Sequence, residues 1–316
     1  MYFLKLVTVA IAAATIQSPL TEVKRLSDEP VLTPRPGQFD DLAAYNPTAL
    51  KLGNKTVLLY RAQNKKGTSQ IGYAESEDGI HFTQSAKPVL SPETDYEKDG
   101  GIEDPRIVKI NGLYYLTYTG YNKTDAQLCL ATSKDLKKWD RVGIIMPANK
   151  GTWNTQWTKS GAILTKKVNG KYWMYYLGTA DGADQMGVAS STDLKHWQDA
   201  TQRPVLSKRP GMFDSKVVEP GPAPLLTSDG ILLIYNGADD KLVYRTGWVL
   251  FDKKDPTKVL SRSDEPFFKP EKKWEIEGQV PNVVFVEGLT QNGDMLNLYY
   301  GSGDTSTGVA QCKLKK

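Results

Sequence analysis

Two short segments of this 316-residue chain place carboxylates where the backbone is constrained: Glu103-Asp104-Pro105-Arg106 and Glu219-Pro220-Gly221-Pro222. Carboxyl groups crowded into a partly buried funnel raise one another's proton affinity, and acid–base catalysis near neutral pH needs that. Comparable polar segments occur at Tyr45-Asn46-Pro47, Lys159-Ser160-Gly161 and Pro281-Asn282-Val283, and Asn46 occupies the place that Asp104 takes one repeat later. A ring of polar groups bordered by Tyr45, Trp153, Trp157 and Tyr244 suits a hydroxyl-rich, sugar-sized ligand better than a lipid or a metal ion. The alternative is that Glu103 and Asp104 only cap turns and pair with Arg106.

The elements that must position these segments form a repeat. A turn followed by an apolar, aromatic strand recurs at Gly53–Tyr60, Gly112–Tyr118, Gly170–Tyr176, Gly230–Tyr235 and Gly293–Tyr300, with the glycines at nearly equal intervals. A second marker keeps step: Ala74-Glu75-Ser76, Ala131-Thr132-Ser133 and Ala189-Ser190-Ser191, each followed by Asp and then by Phe82, Trp139 or Trp197. The third marker is a proline-led, edge-like strand at Pro88, Pro204 and Pro266, where a missing N–H breaks no ladder. Glu29-Pro30-Val31-Leu32 matches it one full interval before Pro88, while the chain ends before a fifth unit supplies its own copy. Five units of about four strands, the last completed by the N-terminal strand, predict an all-β five-bladed β-propeller. Its innermost strands begin at the polar segments above.

Composition agrees with short strands and turns: seven Trp, sixteen Tyr, eight Phe, twenty-seven Gly and eighteen Pro. The formal net charge of +4 is spread along the chain, so no nucleic-acid partner is implied. Cys129 and Cys312 lack metal or disulfide spacing and read as small buried residues. His81 and His196 stand at equivalent outer positions and read as packing residues; no metal and no cofactor is expected. Trp139 and Trp197 read as packing between blades, whereas Trp153 and Trp157 stay open between packing and a sugar platform. Residues 1–14 carry Lys5, an apolar run and small residues near Ala14, the pattern of a secretory signal. That leaves residues 15–316 as one exported domain, periplasmic or extracellular, without a membrane span.

The ordered motifs resemble glycoside hydrolase family 130, β-mannoside-directed five-bladed propellers. They are Gly101-Ile102-Glu103-Asp104-Pro105-Arg106 with Tyr114–Tyr118, Leu59-Tyr60-Arg61, Lys216 ahead of Gly221–Pro224, Asp252 with Asp255–Val259, Glu277–Phe285 and Tyr300–Asp304. The resemblance implies that Asp104 is the proton donor, acting through a sugar hydroxyl, and that Asn46, Arg61 and Asp304 hold the sugar. Phosphorolytic members gather phosphate with arginines, a His-Arg-Pro segment, a lysine and a tyrosine. Here Tyr176-Leu177-Gly178 stands at the His-Arg-Pro position and Lys159 at an arginine position, while Lys216 and Tyr244 remain. Bidentate arginine is hard to replace in phosphate binding, so phosphorolysis is disfavoured.

Glu219 stands where phosphorolytic relatives tend to have glycine, and Glu287 follows Val284-Phe285. The expectation is an inverting, exo-acting β-mannosidase on manno-oligosaccharides. Asp104 is its acid and Glu219, with Glu287 or Glu277, its base, roughly 6.5–9.5 Å apart to admit water. Arg106, Lys159, Lys216 and Tyr244 complete the substrate-binding set. Two other readings stand beside it: a family 43-like arabinan- or xylan-directed glycosidase using Asp41, Asp104 and Glu219, and a sugar-binding propeller without catalysis.

Overall fold

Alternating apolar runs bounded by Gly and Asn turns should give antiparallel hairpins, and they do. The computed structural model describes residues 17–149 and 152–315, so the signal-like segment 1–14 lies outside the described residues. The chain is nearly all β, with short helical turns at Asp95–Glu97 and Lys273–Ile276. Two of the hairpins turn on Asn111-Gly112 and Asn169-Gly170, where both residues have positive φ as a type I′ turn requires.

The strands fall into five successive antiparallel units. The first contains Ala43–Leu52, Lys55–Gln63, Ser69–Ser76 and Thr83–Gln84. The second contains Gly101–Ile110, Leu113–Tyr121, Ala126–Ser133 and Asp140–Met146. Thr158–Val168, Lys171–Ala180, Ala183–Ser191 and Gln198–Asp199 make the third. The fourth starts with Val217–Pro220 and Leu225–Leu226 and continues through Ile231–Ala238, Tyr244–Phe251 and Val259–Arg262. Val284–Asn292, Met295–Ser302 and Ser306–Lys313 form the fifth, and the N-terminal Lys24–Arg25 pairs onto its outer edge. Single parallel pairings, Ser69 with Gly101 and Asp184 with Val217, join units one to two and three to four. The hydrogen-bonded ladders therefore form sheets of four, eight and nine strands, and none of them closes on itself.

Five apolar clusters lie between neighbouring units. Val57 and Ile107 share one cluster, Leu128 and Ile163 another, Tyr175 and Leu233 a third, and Ile234 and Val284 a fourth. The fifth joins the last unit to the first, with Tyr299 and Val309 against Leu58 and Tyr60. Each unit thus buries both faces against neighbours, which stabilises sheets too small to fold alone. Cys129 and Cys312 are buried in this core with free thiols.

The proline-led segments differ from expectation. Leu32, Leu90, Leu206 and Phe268 each make one isolated antiparallel bridge, to Thr307, Ile71, Met186 and Thr246, and no continued outer strand forms. Proline removes the donor that would extend the ladder. The Leu32 bridge seats the N-terminal copy on the fifth unit.

The histidines also differ. His81 and His196 are exposed, each bound to the aspartate three residues earlier, Asp78 at 2.6 Å and Asp193 at 2.7 Å. They close turns at the surface instead of packing in the core. Trp139 and Trp197, by contrast, pack in the clusters and donate to the Leu136 and Leu194 carbonyls.

A feature the repeat did not reveal is the anchoring of each unit's core tyrosine. Tyr60 donates to Asp40 at 2.8 Å, Tyr118 to Glu97 at 2.8 Å, Tyr235 to Asp214 at 2.6 Å and Tyr300 to Glu275 at 2.8 Å; Tyr176 bonds Asp199 in the same way. Arg35, Arg141, Arg262 and Arg25 pair with the first four carboxylates. These buried charges are matched, so they fix the connections between units without an unpaired group.

Candidate active site

The first strand of each unit breaks its ladder at the polar segment noted in the sequence. Register slips between Tyr45 and Thr48, Glu103 and Arg106, Lys159 and Ala162, and Val286 and Gly288. These bulges hold Asn46-Pro47, Asp104-Pro105, Ser160-Gly161 and Glu287; in unit four the strand ends at Pro220, just after Glu219. Asn46, Asp104 and Ser160 have φ of 46°, 49° and 60°, a left-handed geometry that Asn and Asp tolerate better than most residues. A bulge re-aims its side chain, and these breaks turn polar groups from five units toward one centre.

At that centre the Asn46 amide donates to Asp104 Oδ1 at 2.9 Å, and the Ser160 hydroxyl bonds Glu219. Arg61 reaches Glu103 at 2.6 Å and Asp104 at 3.2 Å, with its guanidinium 4.9 Å from the Tyr45 ring centre. Lys159 lies 3.8 Å from Glu103 and 5.1 Å from the Trp157 ring, which meets Tyr121 edge to face. Arg106 pairs with Glu287 at 2.6 Å. Glu103 therefore pairs with Arg61 and Lys159, not with Arg106.

Electrostatics divide the carboxyls. Burial raises the Asp104 pKa, but Arg61, then Lys159, the Asn46 amide and Arg106 outweigh it and hold the group below its ordinary range. Glu219 goes the other way: burial and the Asp104 charge push it up to about 7 against the pull of Arg106, Ser160 and Lys159. Asp304 rises to about 6, through burial and the charges of Asp104 and Glu103 working against Arg61. Burial also raises Glu287, with Arg106 opposing. The expectation that crowding would raise Asp104 is thus corrected: Asp104 is held below its ordinary range, and Glu219 is the carboxyl whose proton affinity reaches neutrality. Two carboxyls driven apart in this way are the usual mark of an acid–base pair.

The structure brings together Asn46, Arg61, Asp104, Arg106, Lys159, Glu219, Glu287 and Asp304, with Tyr244 beside them, its hydroxyl pKa raised by burial and then by the Glu219 and Asp304 charges. It leaves out two others. Glu277 caps the Lys273–Ile276 turn with a side chain 67% exposed toward Lys273, so its place as a base is withdrawn. Lys216 is exposed and donates to the Gly182 carbonyl, so its place as a substrate-binding residue is not supported. Asp41 accepts the Lys65 amide at 2.8 Å and Asp40 belongs to the Tyr60 anchor, which removes the upstream carboxylate of the arabinan-directed alternative. Trp153 is buried against Tyr176 at 6.0 Å and packs, while Trp157 borders the site beside Lys159.

Sequence reasoning missed how residues following the core tyrosines sit opposite the site segments. Arg61 pairs in register with Tyr45, Thr119 with Glu103, Leu177 with Lys159 and Asn236 with Glu219. Asn236 also clamps the Val286 N–H and carbonyl, both at 2.9 Å, tying unit four to unit five. The recurring Tyr was the available signal; the variable residue after it was the part to examine.

Comparison with known proteins follows the same line. A family model for glycoside hydrolase family 130, described as beta-1,4-mannooligosaccharide phosphorylase, matches residues 22–316. A 1,2-beta-oligomannan phosphorylase of Thermoanaerobacter sp. (strain X514) is 41% identical over 307 residues, covering 94% of this chain and 99% of the relative. A solved structure described as "The GH130 family of mannoside phosphorylases contains glycoside hydrolases that target beta-1,2 mannosidic linkages in Candida mannan" is 35% identical with a TM-score of 0.84, covering 92% of this chain and 94% of that one. The Listeria innocua beta-1,2-mannobiose phosphorylase in complex with beta-1,2-mannobiose is 27% identical, TM-score 0.83, over 93% and 97% of the two chains.

Proposed function

The chain belongs to glycoside hydrolase family 130, and from that premise we propose that it cleaves terminal β-1,2-mannosidic bonds of manno-oligosaccharides, with water as the acceptor and inversion at the anomeric carbon. The mannoside and its linkage are taken from the relatives' names. The acceptor rests on one observation: Glu219, a buried carboxyl with proton affinity near neutrality, bonded to Ser160 in the same cluster as Asp104. Water adds to the anomeric carbon and gives a proton to the Glu219 carboxylate. The glycosidic C–O bond breaks, and the departing oxygen takes a proton from a sugar hydroxyl that is replenished by Asp104.

This requires the proton to move from Glu219 to Asp104 when sugar binds, and the contacts supply a reason. Asn46 and Arg61 now hold the Asp104 carboxylate, and they are also the residues assigned to sugar hydroxyls. Hydroxyls that claim those donors remove two of the groups that keep Asp104 ionised. Five carboxyls (Glu103, Asp104, Glu219, Glu287 and Asp304) face three cations (Arg61, Arg106 and Lys159) in the described site. A phosphate dianion would have to bind among these carboxyls, Leu177 offers it no charge, and Lys216 points elsewhere.

Phosphorolysis is the second reading; the comparisons favour it, since the family model and the curated relatives carry phosphorylase names, and Lys159 and Tyr244 stand at the site. Mannose release from β-1,2-mannobiose in phosphate-free buffer separates the two. We read the five units as the blades of a propeller closed by the N-terminal strand, in one domain over residues 15–316, and residues 1–14 as an export signal. An export assay with residues 1–14 fused to a reporter tests the last point.

The acid–base pair carries a pH prediction. The working free enzyme holds one proton between Asp104 and Glu219. Above about pH 7 Glu219 loses it, and at low pH Asp104 gains a second one. A plot of log(kcat/KM) against pH should be bell-shaped, with its optimum on the acid side of 7 and an alkaline limb bending at about 7. A profile flat to pH 9 contradicts the assignment.

A further inference from the structure

Arg106 was expected to touch substrate, yet its whole guanidinium is occupied by protein. Nε donates to the Gly221 carbonyl at 2.9 Å, Nη2 to the Pro220 carbonyl at 2.7 Å, and Nη1 to the carbonyl of Asp104 at 3.2 Å. Nη1 also lies 2.6 Å from Glu287 Oε1, and both side chains are buried, the glutamate completely. Those three carbonyls belong to two pieces of backbone: the bulge that carries Asp104 and the kink directly after Glu219. The arginine lies in unit two and the glutamate in unit five, so one planar fork ties three units together under the site. Glu287, enclosed in this way, has no surface to offer a sugar or a water molecule, so it is not placed as the base.

We infer that Arg106 is a positioning residue that fixes the spacing between the backbone segments bearing Asp104 and Glu219, and that the Glu287 carboxyl anchors its fork. The inference rests on the reading of Asp104 and Glu219 as the working pair. Water must fit between acid and base in an inverting reaction, so their separation is the quantity a rigid clamp controls. A guanidinium presents its donors in a fixed plane, whereas a lysine is a single point donor and cannot hold three carbonyls from two chain segments at once. A misplacement of about 1 Å costs on the order of 10²-fold in rate.

The test compares Arg106→Lys, Glu287→Gln and Glu287→Leu with Asp104→Asn and Glu219→Gln, using β-1,2-mannobiose with and without phosphate and thermal melts of each protein. Arg106→Lys should lower kcat about 10²-fold while KM changes little, because Asn46, Arg61 and Asp304 still meet the sugar. Its pH profile should keep the wild-type alkaline limb, since a positive charge remains among Asp104, Glu219, Glu287, Arg61 and Lys159. Glu287→Gln keeps the size and polarity of the side chain beside Nη1 and should lower kcat less than about tenfold, whereas Glu287→Leu removes the polar anchor and should cost more, again in kcat.

Wild-type kcat in a folded Arg106→Lys overturns the inference, and so does a loss confined to KM. Loss of all activity in a folded Glu287→Gln would overturn the anchor role and restore Glu287 as a base. If Arg106→Lys fails to fold, Glu287→Leu decides, and unchanged kcat there overturns the clamp. Activity surviving in Asp104→Asn or Glu219→Gln would instead refute the working pair, which keeps the two failures distinct.

Discussion

Asp104→Asn is expected to lower kcat on β-1,2-mannobiose by about 10³-fold, within the range that a positioned general acid contributes. Asn keeps the shape of the side chain, so the strand bulge and the Asn46 contact survive. It removes the charge that now occupies Arg61 at 3.2 Å, which frees that guanidinium for sugar hydroxyls, so KM should stay level or fall. The defect should shrink on p-nitrophenyl β-mannoside, whose leaving oxygen departs without a proton. That contrast separates loss of the acid from loss of the fold, because a damaged fold would impair both substrates alike. Equal defects on the two substrates would argue against Asp104 as the donor.

Glu219→Gln is the second large effect, and its direction depends on the acceptor. With Glu219 as the base, water is no longer activated and kcat should fall about 10³-fold, with azide partly restoring turnover as a nucleophile that needs no base. A phosphorolytic site would respond in the opposite sense, since removing a carboxyl beside a phosphate dianion would improve phosphate use.

Stability gives an independent readout of the same substitution. The folded-state pKa of Glu219, about 7, lies above its ordinary 4.5, so between those values the folded protein holds a proton that the unfolded chain has released. Stability from this group is therefore complete below about pH 4.5 and is lost as pH rises through 7. Glu219→Gln should match wild type at acid pH and exceed it at pH 8 by up to roughly 3 kcal/mol. Denaturant melts at the two pH values measure it, and equal stability at both would place the proton elsewhere.

Much of this architecture was legible because the repeat is written in residues with strict backbone or packing roles. Turn glycines and a core tyrosine recur once in every unit because each needs the same hairpin and the same buried ring. The N-terminal Glu29-Pro30-Val31-Leu32 copy pointed to the fifth unit, where Leu32 bridges Thr307. The ring of site segments was legible for the opposite reason: Asn46, Asp104, Ser160 and Glu219 break the repeat at one position of its first strand. The tyrosine anchors were not legible as a repeat: Asp40, Glu97, Asp214 and Glu275 precede their tyrosines, but Asp199 follows Tyr176.

Partner choice was not legible. Arg106 follows Asp104 closely in the chain yet pairs with Glu287, on a strand of the fifth unit, while Glu103 pairs with Arg61 and Lys159. Such pairings depend on how the five units are arranged about their centre. The split in proton affinity follows from them: Arg61, Lys159 and Asn46 converge on Asp104 and lower its pKa, whereas at Glu219 burial outweighs Arg106, Ser160 and Lys159 and raises it to about 7. Glu277 and Lys216 sit in recognisable motifs, but their side chains leave the site by way of a helical turn and a surface loop.

The most direct measurement is a proton NMR time course of β-1,2-mannobiose cleavage by the wild-type enzyme, run in phosphate-free buffer and again with inorganic phosphate. Water as acceptor, activated by Glu219, predicts mannose released at the same rate in both buffers, with the α-anomer appearing first. Mannose 1-phosphate formed only when phosphate is present, with no mannose released in its absence, would contradict that account and assign the site to phosphorolysis.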